Sequence, residues 1–282
     1  MVRMHTLKRA FAAGAAVLAI VASGAVARAD SKNGQVTLTD QQSGFSSPGN
    51  LYGPWSVLTL QYQWQTADDI PSITLFNRND DDRPVSSHSS AVYLDDYHTW
   101  SHTFYTYAQI SAGNGDIQPY NLAYLEGDIK LDKQRSLVAA LGGGVTRNPG
   151  DTSTRWISFG PSLYVGPMVY EVRLLPTNTN GIAASATQGI VEYNRLGQDQ
   201  VVLSYLAGSQ PSVLVGLPPS ATVFQRLDEF DLTWRHWLRP NFGVLIGGTV
   251  GNHYDRTSGA SIYNQRAITL GVFFGRAIGQ PH

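Results

Sequence analysis

Residues Glu229-Phe230-Asp231-Leu232-Thr233-Trp234-Arg235-His236-Trp237-Leu238 alternate between apolar and polar side chains. Phe230, Leu232 and Trp234 fall on one side of an extended chain, and Glu229, Asp231, Thr233 and Arg235 on the other, because a strand repeats every two residues. A soluble sheet can carry that pattern. Here, however, the aromatics Trp234 and Trp237 gather toward one end, where a membrane-crossing strand meets lipid headgroups. The stretch predicts a strand with a lipid face and a polar inner face.

The same dyad recurs on both sides of it. Leu58, Leu60, Tyr62 and Trp64 alternate with Thr59, Gln61, Gln63 and Gln65. Ala123, Leu125, Gly127, Ile129 and Leu131 alternate with Tyr124, Glu126, Asp128 and Lys130. Met168, Tyr170, Val172 and Leu174 leave Glu171 and Arg173 on the opposite face, and Val191 and Tyr193 oppose Glu192 and Asn194. Ile268, Leu270, Val272 and Phe274 close the series. Turn-forming Gly, Pro, Asn and Asp clusters separate these runs. The reading is an all-β chain forming a single transmembrane antiparallel β-barrel of about 12 strands. Tyr93, Tyr97, Trp100, Phe104, Tyr105 and Tyr107 are candidates for an aromatic girdle. Asn77–Ser90, Gly208–Ser220 and Asp255–Asn264 read as external loops, and Ser111–Pro119 as a Gly/Asn turn. Gly142, Gly143 and Gly144 leave room for a bulge or for neighbouring lumen side chains.

The first 29 residues read as a signal peptide: basic Arg3, Lys8 and Arg9, an apolar run from Phe11 to Val21, and Ala27-Arg28-Ala29 as a cleavage site. Residues 30–50 are polar and read as a periplasmic tail, leaving 51–282 for the barrel. The leader holds four basic and no acidic residues, so the remaining chain carries 16 basic against 21 acidic side chains. That balance excludes nucleic acid as an expected partner. Cysteine is absent, which removes disulfides and thiolate chemistry.

The chain resembles the YaiO-type outer-membrane β-barrel proteins from about Trp55 to Phe274. The resemblance rests on Tyr120-Asn-Leu-Ala-Tyr-Leu-Glu-Gly-Asp-Ile-Lys-Leu131 with the Gly-rich strand after it. It rests also on Ser158-Phe-Gly-Pro-Ser-Leu-Tyr164 turning into Val169–Arg173, and on the acidic-then-aromatic strand from Leu227 leading to Leu270-Gly-Val-Phe-Phe274. It implies one barrel in the outer membrane, often met beside cell-surface glycan genes, and no catalytic residues. The implied partners are outer-membrane lipid, the barrel-assembly machinery, and surface polysaccharide or its export proteins. Such barrels usually finish on an aromatic residue. Here Phe274 is followed by residues 275–282, so an assembly signal would be internal, at Thr269-x-Gly271-x-x-Phe274.

Charged residues recur on the predicted inner faces: Glu126, Asp128, Lys130, Glu171, Arg173, Glu192, Glu229, Asp231 and Arg235. Charges in a narrow lumen persist only when paired or hydrated. They form either a mutually compensating plug or a polar conduit that contacts an oligosaccharide or ion. The expectation is a non-enzymatic barrel with a largely paired, poorly conducting lumen. A lipid-modifying hydrolase and a passive surface-binding barrel are the alternatives. Ser87-His88-Ser89 and Ser101-His102 supply catalytic residue types, but adjacent strand residues face opposite ways, so neither pair alone is a dyad. No cofactor or metal is expected: the histidines are scattered, and Asp80-Asp81-Asp82 lacks EF-hand spacing and reads as a solvated loop. His236 reads as interfacial.

Overall fold

A computed structural model describes residues 34–278, apart from 51, 82–85, 116–120, 133, 135, 148–151 and 214–221. The signal-peptide reading of residues 1–29 lies outside the described residues. The chain forms strands β1 (Gly34–Ser46), β2 (Trp55–Trp64), β3 (Asp69–Asp80), β4 (Ser87–Thr99), β5 (Phe104–Gly115), β6 (Asn121–Lys130) and β7 (Leu137–Arg147). The second half follows as β8 (Ser153–Val165), β9 (Met168–Thr179), β10 (Ile182–Arg195), β11 (Asp199–Val213), β12 (Thr222–Arg239), β13 (Phe242–Asp255) and β14 (Ser261–Gly275). Each strand pairs antiparallel with its neighbours in sequence, and β1 pairs with β14 to close the barrel. Closure leaves no unpaired sheet edge, which is what a lipid surround requires.

The barrel has 14 strands, not about 12. The strand that sequence reading missed is β1, which lies within the supposed tail of residues 30–50. Its outward face begins with Val36 and Leu38 but continues with Asp40 and Gln42, hydrogen-bonded to each other at 2.7 Å. Asp40 pairs in register with the lipid-side residues Leu58 and Leu270. That polar interruption broke the dyad.

The start of β1, Gly34, and the end of β14, Gly275, lie at the same end of the barrel as the turns at residues 65–68, 100–103, 166–167, 196–198 and 240–241. Short turns and termini mark the periplasmic side. At the opposite, external end the strands run further than the sequence suggested. β3 continues to Asp80 and β4 begins at Ser87, so both ends of the expected Asn77–Ser90 loop are strand. Asp80 is buried and paired with Arg78 at 2.7 Å rather than solvated. β5 runs to Gly115, β11 to Val213, and β14 starts at Ser261, so the other expected loops shorten likewise.

Leu232, Phe230, Leu141, Ile268 and Leu270 are each at least half exposed, as lipid-facing residues should be. Trp100 and Phe104 also face out. Tyr93, Tyr97, Tyr105 and Tyr107 do not join the girdle. They share the inner face with the half-buried carboxylate of Asp95, while Val92 and Leu94 take the lipid side. Trp237 is inside too, 4.7 Å from Phe273. It stands three residues from the outward Trp234, an odd spacing that a dyad sends to the other face.

The glycines of β7 serve the lumen. A Cβ added at Gly142 would lie 2.5 Å from the Tyr124 hydroxyl, and one at Gly144 would lie 2.3 Å from the Trp156 ring. Tyr124 and Trp156 stack at 5.8 Å in the space so left. Gly143 faces lipid between them, its added Cβ 3.4 Å from a single backbone oxygen. Overpacking costs about 1–3 kcal/mol. Gly144→Val should therefore lower the urea midpoint of the refolded barrel well below that of Gly143→Val, read from the gel-mobility shift of folded protein.

In the periplasmic turn after β6, the Ser136 hydroxyl and the Leu137 N–H donate to Asp132 at 2.5 and 3.1 Å. These bonds hold the Asp132 carboxyl below its ordinary range. A depressed carboxyl stabilises the fold above the unfolded-state pKa, and the contribution fades as pH falls through the folded value.

Candidate functional site in the lumen

The sequence-predicted charges all point inward, and the structure sorts them into separate groups. The first is built on Arg173 of β9, which is 6% exposed. Its guanidinium lies 3.3 Å from Glu171, 3.6 Å from Glu126 and 4.0 Å from Asp128. β6 and β9 are separated by two strands, so these contacts reach over the inner wall of β7 and β8 rather than follow the ladder. Arg173 also donates to Ser162 Oγ at 3.2 Å, and Ser162 donates to Glu171 at 3.1 Å. Tyr124 donates to Glu126 at 2.6 Å. One cation thus meets three carboxylates, and hydroxyls supply the remaining donors. Lys130 is buried beside them, its ammonium 5.6 Å over the Tyr105 ring.

The second group holds Asp231 and Glu229 of β12. Asp231 accepts from Thr249 Oγ1 at 2.5 Å, and Glu229 lies 3.8 Å from His253 Nε2. Asp231 and Arg235, of opposite sign on one strand face, do not pair with each other. Arg235 reaches instead to Gln35 Oε1 at 2.5 Å and Thr37 Oγ1 at 3.2 Å on β1, with Phe273 beneath it at 4.8 Å. Glu192 accepts from Gln200 at 2.9 Å. So the lumen charges are only partly ion-paired; neutral donors satisfy much of the rest.

Sequence reasoning missed Asp95. It accepts from Ser72 and Tyr107 at 2.8 Å each and from Gln109. Counting parity from Val92 and Leu94 would have placed it inside. Gln35 and Thr37 were missed because β1 was read as a tail.

At the periplasmic mouth, inward residues from opposite walls bound a cavity of about 80 Å³: Gln63, Ile70 and Tyr97 on one side, Asn194, Arg235 and Trp237 on the other. Ile278 joins them. The chain after β14 turns in at Gly275, whose φ is +117°. Gln35 Nε2 then donates to the Arg276 carbonyl at 3.1 Å. Residues 275–278 therefore fold over the periplasmic opening.

His88, His98 and His236 lie elsewhere. His236 faces out at the periplasmic rim, as its position beside the girdle led one to expect, and lies 2.8 Å from Asp199, which Trp234 also reaches. Ser87-His88-Ser89 is not a dyad: Ser89 is buried and His88 is exposed on the outer wall. His98 Nδ1 lies 2.5 Å from Asp69. With Asp96 these two make the one described group whose atoms could converge on a metal ion, on the outer face at the periplasmic end.

The family model described as YaiO membrane beta barrel domain matches residues 33–213. No functionally curated protein matches the chain. Among solved structures, the chain is similar to a bacterial polysaccharide outer membrane secretin at 9% identity and TM-score 0.50, over 87% of this chain and 99% of that one. It is also similar to Acinetobacter baumannii Omp33 at 11% identity and TM-score 0.49, over 86% and 99%. The translocator domain of NalP from Neisseria meningitidis matches at 11% identity and TM-score 0.44, over 93% and 96%. Identities this low bear on fold alone.

Proposed function

We infer the function from a premise and an observation: the chain belongs to the YaiO membrane β-barrel family, and one guanidinium, Arg173, projects into the lumen and ties together carboxylates of β6 and β9 across two intervening strands. The barrel sits in the outer membrane. Its lumen is closed at rest by its own side chains, and it serves surface-polysaccharide export or the envelope through a partner or through movement, not as a standing pore. Support for closure comes from the Arg173 group and from the residues that cover the periplasmic mouth. Support for the polysaccharide role comes from the family's association with surface glycan.

Planar-bilayer recording tests closure. The intact protein should show no steady, porin-like conductance. Deleting residues 276–282 together with Arg235→Ala should raise it, because Ile278 and Arg235 both line the periplasmic cavity. Large, steady conductance from intact protein would overturn the closed-lumen reading. Cells lacking the protein should carry less surface polysaccharide; unchanged amounts would remove the export role.

A further inference from the structure

The extension of β3 and β4 beyond their expected ends places four polar side chains on the outer wall. Asn77 pairs in register with Ser90, and Asn79 with His88. All four share the parity of the lipid-facing Leu75 and Val92, both more than two-fifths exposed. His88 and Ser90 are two residues apart on one strand, so they lie on the same face.

Their hydrogen bonds run in one direction. Asn79 Nδ2 donates to Asn77 Oδ1 at 3.3 Å, which turns the Asn79 carbonyl oxygen toward His88. His88 Nδ1 lies 2.8 Å from that oxygen. A carbonyl oxygen only accepts, so Nδ1 carries the proton and Nε2 is left with its lone pair. Nε2 lies 3.1 Å from Ser90 Oγ. The order is nucleophile, base and orienting amide, at the distances that general-base activation of a hydroxyl requires. Such a triad is recognised by geometry and roles, not by chain order, and Asn is a known orienting member. The Asn77 amide donates to Ser90 Oγ at 3.1 Å and lies 3.4 Å from His88 Nε2, so it holds the hydroxyl beside the base. Asn114 of β5 is the register partner of Ser90 on its other side.

The site's height in the membrane suits one substrate class. Along β4 the outward residues are Ser90, Val92, Leu94 and Asp96, so only two apolar residues separate two polar ones. Six residues span about 20 Å of strand. At a tilt of about 40° that stands about 15 Å tall, against an apolar band of about 25 Å in an ordinary barrel. Outer-leaflet lipids beside this wall must thin, bringing their headgroup–acyl junction down to the Ser90 row.

We propose that Ser90, His88 and Asn79 form a serine acyl-hydrolase site on the outer wall, acting on carboxylic esters of outer-leaflet lipids. Ser90 Oγ attacks the ester carbonyl carbon while its proton passes to His88 Nε2. The C–O bond to the lipid alcohol then breaks, and the same proton goes to the departing oxygen, leaving acyl-Ser90. Water, deprotonated by His88, attacks the acyl carbon; free fatty acid leaves and Ser90 regains its hydrogen. The step needs no co-reactant but water, and it is independent of the lumen reading.

The test uses refolded full-length barrel in mixed micelles with diacyl phospholipid in one arm and ester-acylated lipid A in the other. Fatty-acid release from either arm supports the site and identifies the lipid. Ser90→Ala and His88→Ala should each cut release at least about a thousandfold. Asn79→Ala should lower it by about a hundredfold, with recovery in Asn79→Asp, which still accepts from Nδ1. A fluorophosphonate probe should label Ser90 in the native barrel and not in Ser90→Ala. Heat-modifiability confirms folding of each variant. No release in either arm and no labelling of folded native protein would overturn the proposal and leave a polar patch only.

Discussion

Arg173→Met is expected to destabilise the folded barrel by about 3–5 kcal/mol, the usual effect of removing one partner from a buried ion cluster. Among the described residues Arg173 is the one guanidinium within 4.0 Å of Glu126, Asp128 and Glu171. Without it, the carboxylates of β6 and β9 repel each other on the inner wall with no cation between them. Methionine keeps much of the volume, so the loss reflects charge and not a cavity. Adding Glu171→Gln should restore part of the stability, because one uncompensated charge is gone and Ser162 can still donate to the amide oxygen. Urea titrations in lipid vesicles, read by the mobility shift, measure both. An unchanged midpoint for Arg173→Met would mean that the carboxylates do not depend on it.

Leu232→Arg should harm assembly far more than Asp231→Asn. Leu232 is 50% exposed on the outer wall. It sits midway along the apolar row of β12, between Phe230 and Trp234. An arginine at mid-membrane on the lipid face costs about 2–4 kcal/mol. Asp231 points inward and accepts from Thr249. Asparagine can accept the same bond and relieves repulsion with Glu229, so its folded yield should stay near that of the native protein. Equal yields of the two variants would invert the assignment of inside and outside.

The sequence by itself determined the class, the inside–outside assignment of most strands and most of the lumen's charged members. Period two needs no tertiary information: once Leu232 faces lipid, Asp231 and Arg235 cannot. The same rule held for Glu126, Asp128 and Lys130 and for Glu171 with Arg173. It also sufficed to send Trp237 inward and Asp95 into the lumen, where parity was not counted. Tertiary structure decided what parity cannot carry. β1 became a strand because β14 and β2 supply hydrogen bonds on both its edges, which offsets an outward Asp40 that local pattern counts against it. Partner choice was likewise settled across the barrel: Arg235 turns to β1, and Arg173 reaches β6 over two intervening strands, because curvature brings distant strands within side-chain reach. The outer-wall constellation needed both levels. His88 and Ser90 share a face by period two, yet Asn79 meets His88 only because the β3–β4 register aligns them and the strands extend into what the sequence marked as loop.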